Sequence, residues 1–435
     1  MKAVSSHRVV IVGGGAGGLE LAVRLGRRFG AQNVVLVDTN PFHIWKPSLH
    51  EVAAGTLDIH REGLSYAMLG HDSGFQFMIG RMTGVDRETR TITIGVFADP
   101  QGDPILPERT VRYDTLVLAL GSYGNFFNTP GAELNAISLD TTDSAESFRI
   151  ELLKAMARAD AAAGDGVASK VNVVIVGGGA TGVELAAELH EAGRTISAYG
   201  LARVDPGQDL RITLIEGGPR ILGPLPERVS EAAESLLLER GIHVETNCRV
   251  SEVMRHAVIT PDREFPSDLC GWAAGIKAPV LLQALELPLT PINQIIVNAH
   301  LVTPDPAIYA FGDCAAAPWG DTGKTVPARA QAAHQQASYL YKVIAARITG
   351  APPVTQPFAF RDFGSLVSLG HAEGVGSLMG GLSGPSLRVE GWIARMMYSS
   401  SHWAHYATVL GMWGATMRSL ARALTRRSRP RVKLH

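Results

Sequence analysis

Twice along this chain a short apolar run opens into a glycine-rich turn and is answered, further on, by an acidic residue closing a second apolar run. Val9-Val10-Ile11-Val12 leads into Gly13-Gly14-Gly15-Ala16-Gly17-Gly18, and Val34-Val35-Leu36-Val37 ends in Asp38. Val173-Val174-Ile175-Val176 leads into Gly177-Gly178-Gly179-Ala180-Thr181-Gly182, and Arg211-Ile212-Thr213-Leu214-Ile215 ends in Glu216. Residues of these types at this spacing can hold a dinucleotide. Gly13 and Gly177 permit the tight turn, Gly15 and Gly179 let backbone N–H groups approach a pyrophosphate, and Gly18 and Gly182 let the next helix pack closely on the sheet. The positive end of that helix faces the phosphates, and the carboxylate can accept both hydroxyls of an adenosine ribose. Glu216 lies farther from its glycines than the usual about twenty residues, with the polar run 194–209 inserted between. A carboxylate there predicts NADH over NADPH, since a 2′-phosphate would meet a like charge; Arg220 stands close by.

The elements that position these loops follow from the surrounding pattern. Leu19, Leu21, Ala22 and Leu25 after the first loop, and Val183, Leu185, Ala186, Ala187 and Leu189 after the second, recur at helical spacing. Residues 40–47, with two prolines and mixed aromatics, read as a covering loop before a short helix over 51–55. Residues 75–94 alternate like an antiparallel meander with Arg87-Glu88-Thr89 at the turn, and 249–263 resemble another. Residues 111–122 read as one buried strand closing the first sheet, a place that 268–275 take in the second half. Residues 155–169 read as a helix end and linker.

At 435 residues and 46 % apolar content, two to three well-cored domains are expected. A formal charge of -1 supplies no field for nucleic acid. Residues 1–7 carry no signal-peptide stretch, so export is not expected. Cys248, Cys270 and Cys314 form no CxxC pair, so neither a disulfide framework nor a metal site is suggested.

Two nucleotide folds in tandem suggest a flavin beside a nicotinamide. Ile308-Tyr309-Ala310-Phe311-Gly312-Asp313 adds a strand whose Gly-Asp end can meet the ribityl-phosphate part of FAD. With it, residues 8–350 resemble the two-dinucleotide-binding flavoprotein reductases. That resemblance implies an α/β fold of two tandem Rossmann-like domains, an FAD domain (1–125 and 300–350) interrupted by an NADH domain (165–290), followed by a C-terminal region (355–435). Ala330-Gln331-Ala332-Ala333-His334-Gln335-Gln336 matches the AQxAxQQ motif of the type II NADH dehydrogenases, the single-subunit NADH:quinone oxidoreductases. Residues 47–55, Gly182-Val183-Glu184-Leu185, 272–278 and 362–370 also match, and the tail is similar to that of proteobacterial members.

The resemblance implies a tightly but non-covalently held FAD, a hydride passed to it from NADH, and electrons passed on to a ubiquinone-type quinone. Lys46, Gly121, Asp313 and Ala330 are then expected at the FAD and Gly275 at the NADH. Pro327 as a helix-start residue would place a helix N-terminus where its dipole stabilises reduced, anionic flavin. Gln331 and Gln335, four apart on one helical face, would offer uncharged donors and acceptors to quinone carbonyls. Glu184, on the first turn of its helix, would be a half-buried acid supplying protons to reduced quinone. A disulfide reductase or sulfide:quinone reductase would need a cysteine pair that is absent. A reductase of a protein acceptor and a slow NADH sensor are the remaining alternatives.

Residues 391–424 carry Trp392, Met396, Met397, Trp403, Tyr406, Met412, Trp413, Met417, Leu420 and Leu424 with Arg395, Arg418 and Arg422 between them. Such a segment fits an amphipathic, membrane-binding element in the headgroup region, with Arg426, Arg427, Arg429, Arg431 and Lys433 toward anionic lipid. Ser399, Ser400, Ser401, His402, His405 and Thr408 make it too polar for a span. A peripheral enzyme on the cytoplasmic face of the cell membrane, without proton pumping, is the expectation; a homodimer contact is the other use of the tail.

Overall fold

The structure, a computed structural model, describes residues 7–99, 101–165, 170–199, 209–369, 374–378, 387–425 and 432–433. Two five-stranded parallel sheets organise it, each grown from one of the glycine-bearing runs. The first runs Ile308–Ala310, Thr115–Leu118, Val9–Val12, Val34–Asp38, Gln76–Ile79; the second runs Ala136–Ser138, Leu269–Trp272, Val171–Val176, Leu210–Ile215, His243–Glu245. The central strands are unbroken runs of Val, Ile and Leu because both faces of each sheet are covered, by helices and by the sheet's antiparallel meander, and no side of the strand meets water.

The two halves match at the level of single bonds. Gly13 N–H donates to Val37 O and Gly177 N–H to Ile215 O, both at 2.8 Å. Ala119 N–H donates to Val12 O and Ala273 N–H to Val176 O, again both at 2.8 Å. Each sheet carries a three-stranded antiparallel meander, Met82–Asp86 with Thr91–Ile94 and Arg109–Arg112, and Glu252–Met254 with Ala257–Ile259 and Glu264–Pro266. An antiparallel ribbon, Tyr123–Gly124 against Ile276–Lys277, joins the halves.

Several sequence expectations need correction. Gln76–Ile79 joins the parallel sheet and not the meander. Residues 111–122 are not one strand: Arg109–Arg112 belongs to the meander and Thr115–Leu118 to the sheet, because the Asp114 carboxylate accepts Arg8 N–H at 2.7 Å and the chain turns there. Pro327 lies outside its helix, which spans Ala330–Thr349 with the extended Arg329 at its N-cap; the Arg329 guanidinium is 3.2 Å from Asp362.

Ala136–Ser138 and the following helix Thr142–Gly164 pack with the second sheet, while Ala278, Leu282, Leu285 and Ile295 pack in the core of the first. The C-terminal helix Gly391–Thr425 breaks at Gly411 (φ 80, ψ 161). Arg27, at the end of Ala16–Phe29, donates to the Thr408 and Val409 carbonyls at 3.3 and 2.7 Å, satisfying acceptors that the break orphans.

Candidate active site

Both glycine loops are built as the spacing demands. Gly13 and Gly177 sit at φ +105 and +111, a region other residues rarely adopt. A Cβ on Gly18 or Gly182 would lie 1.9 Å from the carbonyl oxygen of Gly13 or Gly177, so strand and helix touch only because both are glycine. Gly15 and Gly179 differ in kind: nothing of the protein lies within 4 Å of where their Cβ would be. That open backbone at each helix N-terminus fits a pyrophosphate and nothing in the protein's own packing.

The acids stand where a ribose would come. Asp38 accepts the Gly14 and Asn40 N–H groups at 2.6 and 2.8 Å, and burial raises its pKa against these bonds. Glu216 accepts Gly178 and Gly218 N–H at 2.7 and 2.6 Å, beside a cavity of about 390 Å³ lined by Gly179, Pro219, Arg220 and Pro224. The Arg220 guanidinium is bonded to the carbonyls of Leu222, Gly223 and Leu225. It clamps its own loop.

Lys46 opens the covering loop and ties it down. Its ammonium donates to Ser122 O at 2.6 Å, and the Ser122 hydroxyl donates to Asp313 at 3.0 Å, so loop and two strand ends meet beside Gly121. Gly275 lies at the ribbon between the halves, its carbonyl facing Asn125 N–H.

Glu184 is in the second turn of Ala180–Ala198, not the first, and it is fully buried. It sits where three regions converge: its own helix, the covering helix Leu49–Ala54, and the strand Ser365–Ser368. Ser368 N–H donates to it at 3.0 Å and His50 Nδ1 stands 3.5 Å away. Burial, with Glu51 and Glu188 nearby, pushes its pKa up to about 8 against the Ser368 bond. Burial likewise depresses His50 to about 4, so near neutral pH the site holds a protonated acid beside a neutral imidazole.

Gln331 and Gln335 share one face of the Ala330–Thr349 helix, and both grip the segment 361–364. Gln331 Nε2 donates to Asp362 and to Gly364 O at 3.2 and 2.9 Å, and its oxygen accepts Phe363 N–H. Gln335 exchanges a pair of bonds with the Arg361 backbone, at 2.9 and 3.0 Å. Bonding capacity survives: Gln335 keeps one N–H and each amide oxygen one lone pair.

The tail splits at Gly411. Before the break Tyr406 and Val409 pack inward; after it Met412 (72 % exposed), Trp413 (78 %), Met417, Leu420 and Leu424 (73 %) form an apolar outer face. Arg418 and Arg422 turn to Glu62 and Glu51. Lys433 does not face outward, because it pairs with Glu146 at 3.0 Å and its N–H donates to Gly55 O. Arg426, Arg427, Arg429, Arg431 and Gly370 lie outside the described residues, as do the side chains of Trp392, Arg395, Met396 and Met397.

Glu188, 4 % exposed, and Glu20 are buried acids that escaped the sequence reading. Glu20 is 1 % exposed, between two histidines. Its only signal was the repeat itself, in which Leu19-Glu20-Leu21 stands where Val183-Glu184-Leu185 stands.

The three cysteines are free, and burial pushes the thiols of Cys270 and Cys314 up to about 12, so no dithiol stands beside either loop. Residues 7–337 match the model of the pyridine nucleotide-disulphide oxidoreductase family. The chain is 39 % identical to a type II NADH:quinone oxidoreductase of Haemophilus influenzae, over 98 % of this chain and 99 % of that protein. It is 30 % identical to a demethylphylloquinone reductase of Synechocystis, over 93 % and 95 %. Its fold is similar to the NDH2 structure from Plasmodium falciparum in complex with NADH (TM-score 0.78, 20 % identity, 98 % and 100 % covered).

Proposed function

The chain belongs to the pyridine nucleotide-disulphide oxidoreductase family and, within it, to the type II NADH:quinone oxidoreductases, and on that footing we propose how its residues divide the work. It is an FAD-dependent NADH:quinone oxidoreductase of the respiratory chain, of the ubiquinone-reducing kind, without proton pumping. The FAD, when bound, takes a hydride from NADH and gives the electrons to the quinone.

Gly13, Gly15 and Gly18 with Asp38 hold the FAD pyrophosphate and ribose; Lys46, Gly121, Asp313 and Ala330 enclose its flavin end. Gly177, Gly179, Gly182, Glu216 and Gly275 hold NADH. Glu216 makes NADH the preferred donor, and Arg220 spends its N–H groups on three carbonyls of its own loop in place of the forked pairing a 2′-phosphate would ask of it. Gln331 and Gln335 shape the quinone slot by fixing 361–364 and use their remaining donor and acceptor capacity on the quinone oxygens. Glu184 keeps a proton where both domains and the C-terminal region meet, and releases it when the quinone needs one. Residues 136–138 and 142–164 go with the NADH domain, so its start moves ahead of 165, and 278–296 go with the FAD domain.

The tail reaches the quinone's solvent. The apolar face after Gly411 lies in the lipid headgroup region, where a peripheral enzyme on the cytoplasmic face meets NADH on one side and quinone on the other. Among the described residues no helix is long and apolar enough to cross a membrane. A homodimer through the same face is the competing use, and it would show as a doubled mass in detergent-free buffer.

The observation that carries this division is the pair of open glycine loops, each answered by an acid, in a chain with no dithiol. The test is anaerobic reduction of the yellow protein by a small excess of NADH, followed by a short-chain ubiquinone. Bleaching and rapid recovery support the division. Bleaching without recovery overturns the quinone slot.

A further inference from the structure

A chain of buried side chains runs from the C-terminal helix to the first glycine loop. His405 (2 % exposed) puts Nδ1 2.9 Å from Glu20 and Nε2 2.9 Å from His43 Nε2. His43 Nδ1 is 3.0 Å from the Gly14 carbonyl oxygen, which also accepts the Tyr66 hydroxyl at 2.7 Å. The other Glu20 oxygen meets His334 Nδ1 at 2.6 Å. Trp45 packs against His405, ring centroids 4.6 Å apart, and stacks on His402.

Proton accounting gives this chain a direction. The Gly14 carbonyl can only accept, so His43 Nδ1 carries the hydrogen. Burial depresses the His43 pKa to about 3, so its Nε2 is bare and accepts from His405 Nε2–H. The Glu20–His405 contact then holds one proton, whichever partner bears it. Burial works to raise the Glu20 pKa, and the His334 and His405 bonds outweigh it and leave it lowered. The run ends on a backbone carbonyl, which can pass no proton on, so the chain orients and does not relay.

We propose that Glu20, His405 and His43 are positioning residues through which the docked C-terminal helix fixes the Gly14 peptide, so that FAD binds tightly only while that helix is in place. This rests on FAD occupying the first glycine loop. The Gly14 carbonyl shares its peptide plane with the Gly15 N–H at the open turn, so holding that carbonyl sets that amide, while the preceding peptide is held by Gly14 N–H donating to Asp38 at 2.6 Å. The groups facing the shared proton are His334 from the Ala330–Thr349 helix, His43 with Trp45 from the covering segment, and Tyr66 with Asp38 behind it. His402 and Tyr406 face it from its own helix, with Arg418, Arg422 and Glu62 beyond them.

The test strips FAD from the full chain and titrates it back by flavin fluorescence, a readout independent of turnover. His405→Leu weakens FAD binding about tenfold to a hundredfold, the worth of one buried bond to a charged pair. Glu20→Gln keeps affinity within about threefold, because the amide donates to His405 Nδ1 and leaves Nε2–H in place. His43→Asn keeps a donor for Gly14 but takes nothing from His405, so adding His405→Leu to it changes affinity less than about threefold. The proposal is overturned if His405→Leu binds FAD like the parent, or weakens it equally with and without His43→Asn, as general loss of packing would. A parent chain that regains no FAD removes the premise itself.

Discussion

Replacing Glu184 by Gln separates a buried acid that carries a proton from one that merely fills space. With its pKa at about 8, the folded protein keeps roughly ten protonated Glu184 for each ionised one at pH 7. The stability consequence has a definite sign. Below the ordinary value of 4.5 the carboxyl is protonated folded and unfolded, and the linkage contributes nothing. Between 4.5 and about 8 only the folded chain holds the proton, so stability falls as pH rises, and above that it is level again. At about 1.4 kcal/mol per unit, the loss by pH 7 is on the order of 3 kcal/mol. Gln still accepts Ser368 N–H but carries no titration. The gap between Glu184→Gln and the parent in thermal midpoint should therefore open in the variant's favour from pH 5 to pH 8, by a few degrees at about 1 °C per kcal/mol for a chain of 435 residues. Stopped-flow measurement of the half-reactions completes the test. Flavin reduction by NADH stays within about twofold, while quinone reduction slows by about tenfold or more and loses its decline near pH 8. Parallel melting curves at every pH, or an unchanged pH profile for quinone reduction, would refute the reasoning.

Four other substitutions probe the remaining parts. Gly15→Ala leaves the melting point of the FAD-free protein unchanged but weakens FAD binding about tenfold or more, whereas Gly18→Ala, whose Cβ would fall 1.9 Å from Gly13 O, lowers the melting point itself; calorimetry beside flavin titration distinguishes them. Glu216→Ala frees two glycine N–H groups and raises the KM for NADH about tenfold to a hundredfold at nearly constant kcat, which steady-state kinetics at saturating quinone would show. Trp413→Glu on the outer face of the tail cuts sedimentation with anionic vesicles about tenfold to a hundredfold and spares turnover with a water-soluble quinone.

The parts of the fold legible in the sequence were those that a single strand-turn-helix encodes locally. The two loops, their acids and the Ile308–Ala310 return strand needed only a period and a glycine spacing. What was not legible depended on partners far along the chain. Nothing near Thr115 says that the strand starts there; Asp114 ends the meander by binding Arg8, more than a hundred residues back. Pro327 carries the composition of a helix start, yet Asp362 holds Arg329 extended and delays the helix to Ala330. The spacing of the glutamines puts them on one helical face, as observed, but their partners at 361–364 come from a segment without periodicity. Lys433 looked like part of a basic tail because Glu146 is invisible from its neighbourhood.

The two glutamates that follow the glycine loops show how one local pattern acquires two chemistries. Glu20 and Glu184 occupy the same slot of a duplicated unit, two residues past the last glycine, and both are buried. Burial alone would push both carboxyls toward the neutral form. At Glu184 the neighbours are Glu51, Glu188 and a histidine that burial keeps neutral, so nothing reverses the push and the group stores a proton. At Glu20 two imidazoles donate, one of them from the C-terminal helix, and the push is reversed. The difference therefore comes from what the rest of the chain lays against each slot: a strand and a covering helix on one side, the tail on the other. Environments that drive two equivalent acids apart mark a division of roles. A charge is kept under the FAD loop, where it orders a donor chain, and a proton is kept at the domain junction, where quinone reduction consumes one. Exchanging the environments should exchange the roles: His405→Leu with His334→Leu should turn Glu20 into a second proton-holding acid, visible in carboxyl infrared spectra as a titration moved upward from the parent's, and a Glu20 titration that does not move in that variant would show that its histidines are not what holds the charge.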